Sequence, residues 1–165
     1  MRVAIIDANI FIDFLELNWY ENLFKIKLEI ITTREVFNEL SVHQQNLLDP
    51  YIQDGTLWVL DIPNIEHDNI ISISASKKLS FTDKTVLFVA QRDSLLVITG
   101  DKILKSVAQQ MGLSVNGILW VFERIIDLNL STKILAAEVL EKLIRINTRL
   151  PMEECLKKIE LWRKN

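Results

Sequence analysis

Leu95-Leu96-Val97-Ile98-Thr99-Gly100-Asp101 is the stretch whose reading decides the fold. Four apolar residues and a threonine run without alternation straight into a glycine and a carboxylate. A strand with no polar face is buried on both sides, as happens in parallel sheets covered by helices. The N-terminus has the same grammar: Val3-Ala4-Ile5-Ile6-Asp7 is a short apolar run that ends on an aspartate. Outward from these two, Glu29–Thr32 and Thr56–Ile62 read as strands, and Leu113–Val115 as a fifth, very short one.

Helices fill the intervals. One is expected over about 9–17. Thr32-x-x-Glu35 has the spacing of a capping box and predicts a helix through Val36, Phe37 and Leu40 to about Leu48. Asp49-Pro50 and Asp54-Gly55 read as turns, and 64–79 as a helix. Ser80-x-x-Asp83 is a second capping-box pattern, opening a helix through Val86, Leu87 and Ala90. A helix over Lys102–Met111 stops at Gly112, and three more cover about 117–128, 132–147 and 151–163. Glu138–Lys142, Glu141–Arg145 and Glu154–Lys158 are i,i+4 pairs on their outer faces. Short strands alternating with helices predict a three-layer α/β/α sandwich around a short-stranded, mainly parallel sheet. Ligands of such sheets bind at the carboxyl ends of the strands.

Composition narrows the class. The chain has 165 residues, 49% of them hydrophobic and 25% charged, which excludes disorder and collagen-like repeats and fits one domain. Cys155 is the single cysteine, so neither an internal disulfide nor a cysteine-built zinc site can form. The N-terminal apolar run is too short for a signal peptide, and nothing approaches the roughly 18 apolar residues of a membrane span. A soluble, cytoplasmic protein without a membrane partner is the expectation. The net charge is −3 overall, yet residues 133–165 hold eight Lys/Arg against five Asp/Glu. A solvated helix face explains that bias more simply than a nucleic-acid arm.

The chemistry concentrates at the strand ends. Asp7 and Asp101 follow two strands directly, while Glu39 and Asp83 lie at or near helix starts. If the topology brings these four together, their mutual repulsion calls for a cation. A hard divalent ion such as Mg²⁺ prefers oxygen donors, and no His or Cys cluster competes for zinc or iron. Such an ion suits hydrolysis of a phosphodiester.

Four segments, in this order, carry a family resemblance: Asp7-Ala8-Asn9, Thr32-Thr33-Arg34-Glu35-Val36-Phe37-Asn38-Glu39-Leu40, Leu79-Ser80-Phe81-Thr82-Asp83 and Thr99-Gly100-Asp101-Lys102. The chain resembles the PIN-domain nucleases, especially the VapC-type bacterial ribonucleases and their uncharacterised relatives, over about residues 1–125. The resemblance implies a PIN-like fold and an endoribonuclease dependent on Mg²⁺ or Mn²⁺. Its metal-site and catalytic residues would be Asp7, Glu39, Asp83 and Asp101, with Thr99 and Asn9 in support. It further implies RNA as substrate, an antitoxin protein as partner if the chain is a toxin, and a homodimer. Residues 1–125 would form the nuclease core and 126–165 a helical extension of the same domain.

Each residue has a plainer reading. Asp7, Thr99 and Asn9 could cap helices, Asp101 could complement a helix dipole, and Asp83 could serve only its capping box. Glu39 could be an exposed helix glutamate, whereas Glu35 reads as the capping-box acceptor. Asp13, six residues past Asp7, reads as solvent-facing. His43 and His67 read as surface residues, and the four tryptophans as core or dimer packing. Arg34, Lys84 and Lys102 lie near the acidic motifs and could offset phosphate charge. Two other functions compete with the nuclease. One is a non-catalytic PIN-like module that binds protein or RNA. The other is a phosphotransferase of the haloacid dehalogenase type, which would need aspartates where the chain has Asn9 and Lys105.

Overall fold

The computed structural model describes residues 2–74 and 78–164. Five strands form one sheet: β1 (Val3–Ile6), β2 (Glu29–Thr33), β3 (Leu57–Leu60), β4 (Leu96–Ile98) and β5 (Val115–Asn116). Their order is β3-β2-β1-β4-β5 and every pairing is parallel. Ile5 stands opposite Ile31 on one side and Val97 on the other. The central strands are buried on both faces, as their unbroken apolar runs require. After β1 the chain adds strands to one side, and with β4 it crosses to the other. The reversal lies between β1 and β4, and the crevice at their carboxyl ends is where such sheets take ligands.

Helices flank the sheet: α1 (Ala8–Glu16), α2 (Tyr20–Leu23), α3 (Arg34–Glu39), α4 (Val42–Gln53), α5 (His67–Ile71), α6 (Phe81–Asp93), α7 (Lys102–Gln110), α8 (Ile118–Asp127), α9 (Lys133–Ile146) and α10 (Met152–Lys164). Gly112, with φ of +75°, ends α7 in the left-handed region that glycine tolerates best.

The helix expected from 35 to 48 is two helices. Thr33, not Thr32, caps α3, its hydroxyl accepting from Val36 N–H, whereas Thr32 belongs to β2 and donates to the Ile6 carbonyl at 2.8 Å. Glu35 is therefore one position short of its expected capping role, and its Oε2 is buried without a hydrogen-bond partner. Leu40 turns to an extended conformation, and Ser41 with Gln44 forms a reciprocal capping box for α4. Gln45 Nε2 donates to the Leu40 carbonyl just past the end of α3 and to the Phe37 carbonyl, which also accepts from the Leu40 N–H. Pro50 makes no turn; it lies inside α4, which runs on to Gln53. The helix expected over 64–79 reduces to a 3₁₀ turn at Asn64–Glu66 followed by α5, and residues 75–77 lie outside the described part.

The last helices pack into the core. Phe122 of α8 meets Phe14 of α1, Trp19 and Trp162 of α10, with ring centroids 5.7, 4.9 and 6.2 Å away. Lys158 pairs with Glu123 across to α8 rather than with Glu154, and Arg163 reaches Glu141 of α9 at 2.9 Å. Trp58 departs from the expected packing: on the edge strand β3 it is 54% exposed.

Candidate active site

Asp7 is the centre of the β1/β4 crevice. It leaves β1 in an extended conformation and caps α1, with Oδ1 accepting from the Ala8 N–H at 2.8 Å. Its Oδ2 accepts from Asn9 Nδ2 at 2.8 Å and from the Thr99 hydroxyl at 2.9 Å. The Thr99 oxygen in turn accepts from the Asp101 N–H at 3.0 Å. Asn9 Oδ1 accepts from the Gly100 N–H at 2.8 Å, and a Cβ at position 100 would stand only 3.3 Å from that oxygen. Thus the loop after β4 is tied to the loop after β1. Thr99, expected as a support or a cap, is an almost wholly buried link between two carboxylate-bearing loops, and it caps no helix.

The other acids come from three helices. Asp83 is the third residue of α6, where its Oδ2 accepts from Ser80 N–H at 2.8 Å and the Ser80 hydroxyl accepts from Asp83 N–H at 3.0 Å, completing the expected capping box. Glu39 ends α3 and is exposed. Asp101 caps α7, Oδ1 accepting from the N–H groups of Ile103 and Leu104 at 2.8 and 2.7 Å. Thr33 of β2 and Thr85 of α6 share a buried hydroxyl contact of 2.9 Å, and Thr85 donates to the Thr82 carbonyl. That contact ties the start of α3 to α6.

Burial pushes the Asp7 carboxyl up to about 6, against the hydrogen bonds from Thr99 and Ala8 that favour its ionised form. The charges of Asp83 and Glu39 push it further in the same direction. Of the four acids, Asp7 and Asp101 are linked through Thr99, and Glu39 and Asp83 act on Asp7 through their charge alone. The four do not close on one point: among the described residues no three acidic, His or Cys groups form a ready-made metal cluster. Asp83 spends one carboxylate oxygen on one backbone N–H, and Asp101 one oxygen on two. All the donors are oxygens, which fits a hard cation that keeps its own waters better than zinc.

Several neighbours differ from expectation. Arg34 is engaged by Asp61 at 2.9 Å, and Lys84 Nζ donates to the Ile71 carbonyl at 2.9 Å, so neither stands ready for phosphate. His67 is exposed, as expected, and stacks on Phe81 with centroids 4.7 Å apart. Asp13 is not solvent-facing; it is 8% exposed, and both its carboxylate oxygens accept from Asn147 Nδ2 at 3.0 Å. Burial, reinforced by Glu16, pushes the Asp13 carboxyl up to about 6 against the bond from Asn147. The sequence reading also missed Thr33, Thr85 and Asn147. A Thr-Thr pair closing a strand is the one local hint of the first two.

The family model DUF3368, a PIN domain, matches residues 3–164. The chain belongs to the PIN-domain family. No functionally curated protein matches the sequence. Among solved structures, the PIN domain is similar in fold to PAE2754 from Pyrobaculum aerophilum, with 15% identity, coverage of 74% of this chain and 89% of that one, and a TM-score of 0.52. It is likewise similar to a domain of a functionally unknown protein from Methanocaldococcus jannaschii, with 17% identity, coverage of 72% and 91%, and a TM-score of 0.50. The family match spans α9 and α10 as well as the sheet. PIN domains are in general nucleases that depend on divalent metals. Among the described residues no helix is long and apolar enough to cross a membrane.

Proposed function

We propose that this PIN domain is a divalent-metal-dependent endoribonuclease that hydrolyses RNA phosphodiester bonds in the cytoplasm. One observation carries the reading: Asp7, buried at the strand-order reversal, is linked through Thr99 to the loop that bears Asp101, and the charges of Glu39 and Asp83 from two other elements act against its ionisation. A scaffold gains nothing from gathering such charges, whereas a bound cation removes their repulsion. Asp7, Glu39, Asp83 and Asp101 would hold Mg²⁺ or Mn²⁺. When bound, the ion supplies polarisation of the phosphodiester and a more acidic water. Thr99 and Asn9 fix the orientation of Asp7 through its Oδ2. Asp83 is held by the capping box it forms with Ser80, and Asp101 by the helix end it caps.

Asp7→Asn keeps the size and the capping oxygen and removes the charge. Cleavage of a labelled RNA in Mn²⁺ or Mg²⁺ should fall at least about a hundredfold, a loss of roughly 2.7 kcal/mol in transition-state stabilisation, with the circular dichroism spectrum unchanged. Undiminished cleavage by this variant would remove the assignment. A toxin role, with an antitoxin partner and a homodimer, extends the same reading. Co-purification with the product of a neighbouring short reading frame, and the mass in solution, test those two points.

The second reading, a non-catalytic PIN-like module, is favoured by the lack of three converging ligands among the described residues. It predicts an intact protein that cleaves no RNA in any divalent metal.

A further inference from the structure

Asp13 and Asn147 join the two ends of the chain. Asn147 terminates α9, and while its Nδ2 donates to Asp13 on α1, its Oδ1 accepts from the Arg149 N–H at 3.0 Å. These bonds hold the turn between α9 and α10 against α1. A cleft of about 420 Å³ results, with Asn9, Asp101 and Lys102 on one side and Asn147 and Arg149 on the other. Through Gly100, Lys102 and Arg149 it continues into a second cleft of about 380 Å³ whose lining includes Lys105. The combined groove therefore starts at Asp101 and Asn9, within the candidate acidic site.

Its cations are unengaged. Lys102, Lys105 and Arg149 are exposed, and none forms an ion pair with another described residue. On a chain of net charge −3, three such cations line one groove beside a set of carboxylates. Glu154 also lines the second cleft, one carboxylate among the three cations Lys102, Lys105 and Arg149. Acids at the Asp101 end and a surplus of bases beyond it suit a polyanion that offers one phosphodiester to the acids and its neighbours to the bases. A cleft of this volume admits nucleotide-sized groups and not a duplex.

We propose that this groove is a phosphate-binding track for single-stranded RNA, in which Arg149, Lys102 and Lys105 grip backbone phosphates next to the acidic site. The C-terminal helices then contribute to substrate binding through the turn that Asp13 anchors. The choice of RNA rests on the function proposed above.

The test is binding of a fluorescein-labelled single-stranded oligoribonucleotide by the full chain, followed by anisotropy in a metal-chelating buffer where cleavage is off. Arg149→Ala and Lys105→Ala should each weaken binding several-fold and reduce the slope of log affinity against log salt by about 0.7, the loss of one phosphate contact to a single strand. Lys142→Ala, which removes a cation from the exposed face of α9, should leave binding unchanged. Both groove variants binding like the wild type, Lys142→Ala weakening binding equally, or a wild type that binds no RNA would each overturn the track. Cleavage assayed in Mn²⁺ separates the two proposals. If the wild type does not cleave but the groove variants still lose binding, the nuclease reading fails and the track stands. If the wild type cleaves and the groove variants bind and cleave as it does, the track alone fails.

Discussion

Asp13 shows how much one residue's surroundings decide. Buried against α9 and facing Glu16, its carboxyl is pushed up to about 6 from the ordinary 3.8. The native chain therefore takes up this proton at a higher pH than the unfolded chain does. Stability contributed through Asp13 is gained as pH falls from about 6 towards 4, and lost as pH rises through the same range. Asp13→Asn removes that titration. With metal chelated, its Tm plotted against pH should be flatter between about pH 4 and 6 than that of the wild type. Coincident profiles would show that the carboxyl titrates normally in the native state. Asp7 at the crevice is the complementary case. The strand end predicted its position, and its partners Thr99 and Asn9 were also named from the sequence. Its burial was not, since that depends on β4 lying directly beside β1.

Among the elements, α6 formed where its sequence said it would and the region after β2 did not. Ser80 and Asp83 satisfy each other's backbone N–H groups, a local arrangement that needs nothing from the rest of the chain. Ser80→Ala should cost about 1 kcal/mol in urea unfolding, and Ser80→Gly only a few tenths, because glycine leaves the helix end open to water. Equal losses for the two variants would mean that the hydroxyl acts through something other than the cap. The α3–α4 break was hidden by two competing signals. Thr32 and Thr33 both offer a hydroxyl for capping, and the next-strand register gives Thr32 to the Ile6 carbonyl and leaves Thr33 for the helix. Ser41-x-x-Gln44 is a capping box in its own right, overlooked inside an apparently continuous helix.

In the whole molecule, the aromatic contacts around Phe122 tie α10 to α8 and α1. The ring touches side chains that come from α1, from the segment after it and from α10. Phe122→Ala should lower stability by about 3–5 kcal/mol. The variant should still unfold in a single transition, with tryptophan fluorescence and circular dichroism coinciding. Two separated transitions would make 126–165 an independent unit and contradict the single-domain reading.

By itself the sequence determined the strands, the capped helices and the order of the acidic segments. These follow from apolar runs, hydroxyl-carboxylate spacings and turn residues, all local signals within a few positions. Only the tertiary structure decided that Asp13 is buried, that Arg34 belongs to Asp61, and that the turn before α10 borders the crevice. Asp13 and Asn147 are 134 residues apart in the chain. A contact of that range leaves no periodic trace in either segment, because it is made by the packing of helices whose own patterns were already complete.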